Sequence, residues 1–123
     1  MIPALVLLCA IHARGCQTDD ARAIARAIDS ATEDDGLRAH MAIYAWHESR
    51  FQRHPRAESW DAIAGRARGP WQLWQGGDAD LLTQARQWLY LVQRGGLAAL
   101  DSSPRRAARR AREAQRLLER VGD

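Results

Sequence analysis

Apolar residues recur at helical spacing along most of the chain, with one long interruption in the middle. Ala21, Ile24, Ala27, Ile28 and Ala31 share one face of a helix that Thr18 can cap and that ends near residue 32. Leu37, Met41, Tyr44 and Ala45 mark the next helix, capped by Asp34 or Asp35, and Glu48 extends its apolar stripe. His54-Pro55 then forces an extended or turn geometry. Leu81, Leu82, Ala85, Trp88, Leu89 and Val92 predict a further helix, capped by Asp78 and closed by Gly95-Gly96. Ser103-Pro104 opens the last one, with Ala107, Ala111, Ala114, Leu118 and Val121 as its docking stripe. Between Phe51 and Gly77 neither the helical nor the strand period is sustained, yet Trp60, Trp71 and Trp74 fall there. A long loop region that keeps its aromatics usually lines a site.

Residues 2–11 form an apolar run too short to span a bilayer as a helix. Two readings of residues 1–16 stay open, a signal peptide and a first buried helix. Arg14-Gly15-Cys16 only distantly matches the small-residue site ahead of a lipidated cysteine. If Cys9 and Cys16 both lie on one helix, they are about 10 Å apart along its axis, and no internal disulfide is expected. Two cysteines without a neighbouring His or Cys cluster make no metal site, and no cofactor is implied.

With 123 residues the chain fits one domain, residues 17–123, beyond that first segment. Five or so helices around one loop-rich stretch predict an all-α fold. A composition of 46% hydrophobic and 27% charged residues excludes wholesale disorder. Net charge is +3, and all 18 basic residues are arginine, which reads as a coding bias. The charge favours an anionic partner without specifying one. Seven arginines between 105 and 120 face only Glu113 and Glu119, making the last helix basic. The plain account of them is the solvated face of a docked helix.

Glu48 carries the sharpest chemistry. A carboxyl on an apolar helical face is expected to be buried, and burial raises a carboxyl pKa toward what a general acid needs. The plain alternative is a solvated or structural glutamate at a helix end.

Two runs then resemble a known family. Glu48-Ser49-Arg50-Phe51 is similar to the helix-terminal Glu-Ser and spaced Phe of the soluble lytic transglycosylases, which are lysozyme-like. Gly69-Pro70-Trp71-Gln72-Leu73 is similar to their Gly-Leu-Met-Gln-Leu, with Pro-Trp in place of Leu-Met. The resemblance spans about residues 37 to 101 and departs at the third motif. Where the family commonly has Ala-Tyr-Asn, this chain has Leu100 and Asp101 in place of Tyr and Asn. Tyr90 or Tyr44 would have to substitute, although core packing is the simpler role for both.

The resemblance implies an α-rich lysozyme-like domain, a monomer, that cleaves the MurNAc-GlcNAc β-1,4 linkage of peptidoglycan in the cell envelope, periplasm or exterior. It implies Glu48 as the catalytic acid and then base, while the muramic 6-hydroxyl attacks the anomeric carbon and leaves an anhydro-sugar. Ser49 and Gln72 would contact the carboxyl and the glycan, and Ser49 would orient Glu48. Trp71 and Trp74 could stack on sugar faces, against core packing as the alternative. Asp61 could position a water, as acidic residues do in related goose-type lysozymes, or be a solvated loop residue. Loss of the third-motif Tyr leaves a second reading, a wall-glycan binder without turnover. A third, of another class, is a helical interaction or nucleic-acid protein using Arg105, Arg106, Arg109 and Arg110.

Overall fold

Thr18 accepts a hydrogen bond from the Ala21 amide at 3.0 Å, and from that cap helix α2 runs Asp19–Ala31. The computed structural model describes residues 1–55, 67–73, 79–96, 101 and 103–122. Among them the other helices are α1 (Ala4–Ile11), α3 (Asp35–Ser49), α4 (Leu81–Gly95) and α5 (Pro104–Gly122), with a 3-10 turn at Gly15–Gln17. The protein is all-α, and among the described residues the one extended pairing is an isolated bridge between Arg68 and Leu73.

The helix ends follow capping chemistry. Asp34 accepts from the Leu37 amide at 2.8 Å to start α3, and the Ser103 hydroxyl accepts from the Arg106 amide at 3.2 Å to start α5. Helix α4 corrects the expectation of an Asp78 cap, a residue outside those described. Asp80 directly precedes Leu81 and accepts from the Thr83 amide at 2.8 Å, because a short carboxylate reaches only amides two or three residues ahead. Gly96 closes α4 with φ of 66°.

The apolar run 2–11 forms α1 inside the bundle, with Ala4, Leu7 and Leu8 fully buried. Polar groups hold its entry: Asp29 accepts from the Ala4 amide at 2.9 Å and Asp35 from the Ile2 amide at 2.8 Å. Arg38, only 5% exposed, donates to the carbonyls of Ile2, Asp29 and Thr32 and pairs with the Asp29 carboxylate at 3.0 Å. One guanidinium thereby joins the first three helices, and its burial is tolerable because its donors are satisfied. No helix among the described residues is long and apolar enough to cross a membrane.

Cys9 and Cys16 form a disulfide, with Cα atoms 5.0 Å apart. The expectation of no internal bridge assumed one helix over both residues. Instead α1 stops at Ile11 and the chain reverses through the 3-10 turn, which brings Cys16 back within bonding reach.

Helix α3 is central and packs against each of the other four helices. Its own Met41 and the neighbouring Trp88, Ile24, Ile28, Leu7 and Leu8 are all buried in the core. Each buried large side chain contributes about 1.5–3 kcal/mol through removal of apolar surface from water. The most extensive pairing is α3 with α5. There the buried stripe is Ala107, Arg110, Ala114 and Leu117, rotated from the predicted one: Ala111, Leu118 and Val121 are only partly covered.

Candidate functional site

Helix α3 delivers Glu48 in its last turn, opposite the first half of α5. The Arg110 guanidinium donates to the Glu48 carboxylate at 2.7 Å. The Glu48 side chain is 31% exposed, against 10% for Arg110. This corrects the expectation of a buried acid. Periodicity puts Glu48 on the face shared with Met41 and Tyr44, but α3 ends one residue later, at the rim of the bundle.

A buried polar cluster extends from this pair. Arg110 lies over the Tyr44 ring, 4.7 Å from its centroid, and 3.7 Å from the Asp101 carboxylate. The Tyr44 hydroxyl donates to Asp101 at 3.4 Å, and the Tyr44 ring meets Trp88 edge-on at 5.8 Å. Arg106 grips Asp101 through two nitrogens, at 2.9 and 2.6 Å, and the Ser103 amide donates to it at 3.0 Å. Burial alone would raise the Asp101 carboxyl, whose side chain is 1% exposed. The Arg106 and Ser103 hydrogen bonds and the charges of Arg106 and Arg110 outweigh burial and hold it below the usual carboxylate range. Burial raises the Tyr44 hydroxyl, and the Asp101 charge adds to that against Arg110. Of the two tyrosines considered for the missing third motif, Tyr44 thus touches the partner of Glu48. Tyr90 is 49% exposed on α4 and bonds Arg94.

The other expected site residues fall differently. The Ser49 hydroxyl donates to the Ala45 carbonyl at 2.8 Å and accepts from the Gln52 amide, so it does not orient Glu48. Its single proton goes to the backbone one turn back, the usual partner of a serine inside a helix. Trp71 is 4% exposed and donates from Nε1 to the Met41 carbonyl at 3.0 Å. It is a core residue with no face open to a sugar. Gln72 donates through Nε2 to the Gly69 carbonyl at 2.9 Å and does not bond Glu48. Asp61 and Trp74 lie outside the described residues. Among those described, no group of three or more metal-ligating side chains exists.

The Trp71 bond nevertheless seats the second motif on the helix that carries Glu48, with Met41 two turns before it on the same face. Both motifs also share a backbone peculiarity. Among the described residues, the non-glycine positions with left-handed φ are Arg50 (55°), Phe51 (61°) and Gln72 (49°). Arg50 and Phe51 close α3 with amides directed at Trp46 and Ala45, a turn in which glycine is the usual left-handed residue. Left-handed φ at a bulky residue costs of order 1–3 kcal/mol and persists where surrounding contacts enforce it. Here Phe51 is 1% exposed against Trp46, and the Arg50 guanidinium lies 4.6 Å from the Trp46 ring.

Arg106 and Arg110, expected on the solvated face of a basic helix, both join the cluster: Arg110 is buried, whereas Arg106 reaches Asp101 with its side chain 43% exposed. The telling feature was available: Arg110 falls at helical spacing between Ala107, Ala114 and Leu117, a charge within an apolar stripe as Glu48 is in its own. Two such charges of opposite sign on two helices are candidates to meet. Arg120 is also engaged, donating to the Ala10 carbonyl at 2.8 Å.

No family model, no curated protein and no solved structure matches this chain.

Proposed function

We propose that the protein cleaves peptidoglycan glycan strands at the MurNAc-GlcNAc linkage, as a divergent lytic transglycosylase with Glu48 as its acid and base. The observation that carries this reading is the clustering of left-handed Arg50, Phe51 and Gln72 in the two family-like motifs, with the second motif anchored on α3 through Trp71. Strain of this kind concentrates where function fixes the backbone. Glu48 then protonates the leaving oxygen and receives the proton of the attacking 6-hydroxyl, and Arg110 fixes its carboxylate between those steps. The Cys9–Cys16 disulfide supports an oxidising, extracytoplasmic setting.

One observation favours the reading without turnover. Glu48 is ion-paired with Arg110, so one of its carboxylate oxygens is already engaged by a guanidinium and not by a sugar. In that case the domain binds wall glycan and releases nothing.

Purified wall incubated with the protein, followed by mass spectrometry of released muropeptides, separates the two. The enzyme reading expects anhydro-muropeptides from the wild type and at least a ~100-fold loss in Glu48→Gln. Equal activity of that variant would sink the role of Glu48. Retained wall binding with no released product would support the binder.

A further inference from the structure

On the flank of the α3–α5 seam, beside the end of α1, lies a pocket of about 270 Å³. Its floor is apolar: Ile43 and Leu117 are buried, and Ile11 and Trp46 add partly buried surface. His47 on one wall donates from Nε2 to Glu113 on the other at 2.8 Å, so that carboxylate is already occupied. Arg116 and Arg120 complete the rim from α5. They stand four residues apart on one helix face, a like-charge arrangement that is unfavourable by itself. Arg120 uses one donor on the Ala10 carbonyl, and the Arg116 guanidinium makes no hydrogen bond or ion pair among the described residues.

An occupant suited to these walls has a small apolar part for the floor and a carboxylate for the two guanidinium forks. The volume equals roughly nine waters' share of liquid, which admits a dipeptide-sized segment. We propose that this pocket binds the acidic stem peptide carried by muramic acid, through a carboxylate held by Arg116 and Arg120. The choice of peptide rests on the wall-glycan reading above. The placement suits it, because His47 adjoins Glu48 in sequence and Glu113 stands one turn beyond Arg110. The pocket is therefore the next rung of the seam from the ion pair, where a stem branching beside the cleaved linkage would lie.

The test is calorimetric titration of the full chain with N-acetylmuramoyl-L-alanyl-D-glutamate and with the same compound carrying both carboxylates as amides. The acid is expected to bind at least ~10-fold more tightly than the diamide, the worth of one charge-assisted hydrogen bond. Arg116→Gln and Arg120→Gln, at exposed positions, are each expected to weaken the acid ~10-fold and leave the diamide unchanged. Arg112→Gln, exposed and outside the pocket, keeps wild-type affinity. Equal affinity for acid and diamide, wild-type affinity in the Arg116→Gln, Arg120→Gln double variant, or no binding would each overturn the proposal. Charge-dependent binding without any wall cleavage would leave the pocket standing and remove the role of Glu48. Cleavage that ignores Arg116 and Arg120 would do the reverse.

Discussion

Arg110 donates to Glu48 across 2.7 Å, from a helix that begins more than fifty residues after Glu48. The two members of the pair are unequal. Arg110 is the more buried and also faces Asp101 and the Tyr44 ring, whereas among the described residues the Glu48 carboxylate is bonded to Arg110 alone. Arg110→Ala is expected to cost about 2–4 kcal/mol, since it leaves buried Asp101 and Glu48 short of a cation. Glu48→Gln keeps an acceptor for Arg110 and should cost about 1 kcal/mol. Urea unfolding of both single variants and the double variant measures this, and equal costs would contradict the asymmetry.

Asp101 ties the acid stability of the fold to the same cluster. Its folded carboxyl is held lower than in the unfolded chain, so its stabilisation is complete above the unfolded value of about 3.9 and is lost as pH falls through the folded one. Asp101→Asn is expected to lose about 2–4 kcal/mol at neutral pH. Below about pH 4 its gap to the wild type should narrow, because the wild type then loses the same charge. Melting curves from pH 2 to 7 test this, and a gap that stays constant would rule it out.

Gly15 sits where the reversing chain crosses Trp46. A Cβ there would stand 2.9 Å from His12 Nδ1 and 3.1 Å from Trp46 Cζ3. His12 has little room to yield, since it accepts from the Gly15 amide at 2.8 Å and stacks on Trp46 at 4.4 Å. Gly15→Ala is expected to destabilise by about 1–3 kcal/mol, read from thermal unfolding with the disulfide intact. A neutral result would mean that the turn shifts freely.

Arg50 offers a direct measure of stored strain. Arg50→Gly relieves a left-handed backbone worth ~1 kcal/mol and gives up a cation–π contact worth ~0.5–1 kcal/mol, so stability should hardly change. Arg50→Val keeps the strain, adds a β-branch to it and loses the contact, and should cost at least ~2 kcal/mol. If both variants lose the same amount, the contact with Trp46 and not the backbone decides the position.

The helices were legible because their information is local. Thr18, Asp34 and Ser103 cap where expected, and Ala21, Ile24, Ala27 and Ile28 of α2 and Met41, Tyr44 and Ala45 of α3 are buried as their spacing predicts, with Ala31 and Leu37 partly covered. What eluded the pattern depends on where elements stop and what faces them. The disulfide depended on α1 ending at Ile11, and the exposure of Glu48 on α3 ending at Ser49. The burial of Trp71 depended on a backbone carbonyl of another element, and the roles of Arg38 and Arg110 on carbonyls and carboxylates distant in sequence. Periodicity names the face of a helix but not its neighbour.

The seam between α3 and α5 also bears on synthesis. Glu48 and His47 leave the ribosome long before Arg110 and Glu113 exist to meet them, so the growing chain carries α3 with its main helical neighbour missing. With synthesis at ~5–20 residues per second, that interval lasts seconds, and Tyr44 and Ile43 spend it without their α5 neighbours Arg110 and Leu117. The last helix thus acts as a closing strap, and chains stalled before residue 110 are expected to be caught by proteases or holding chaperones.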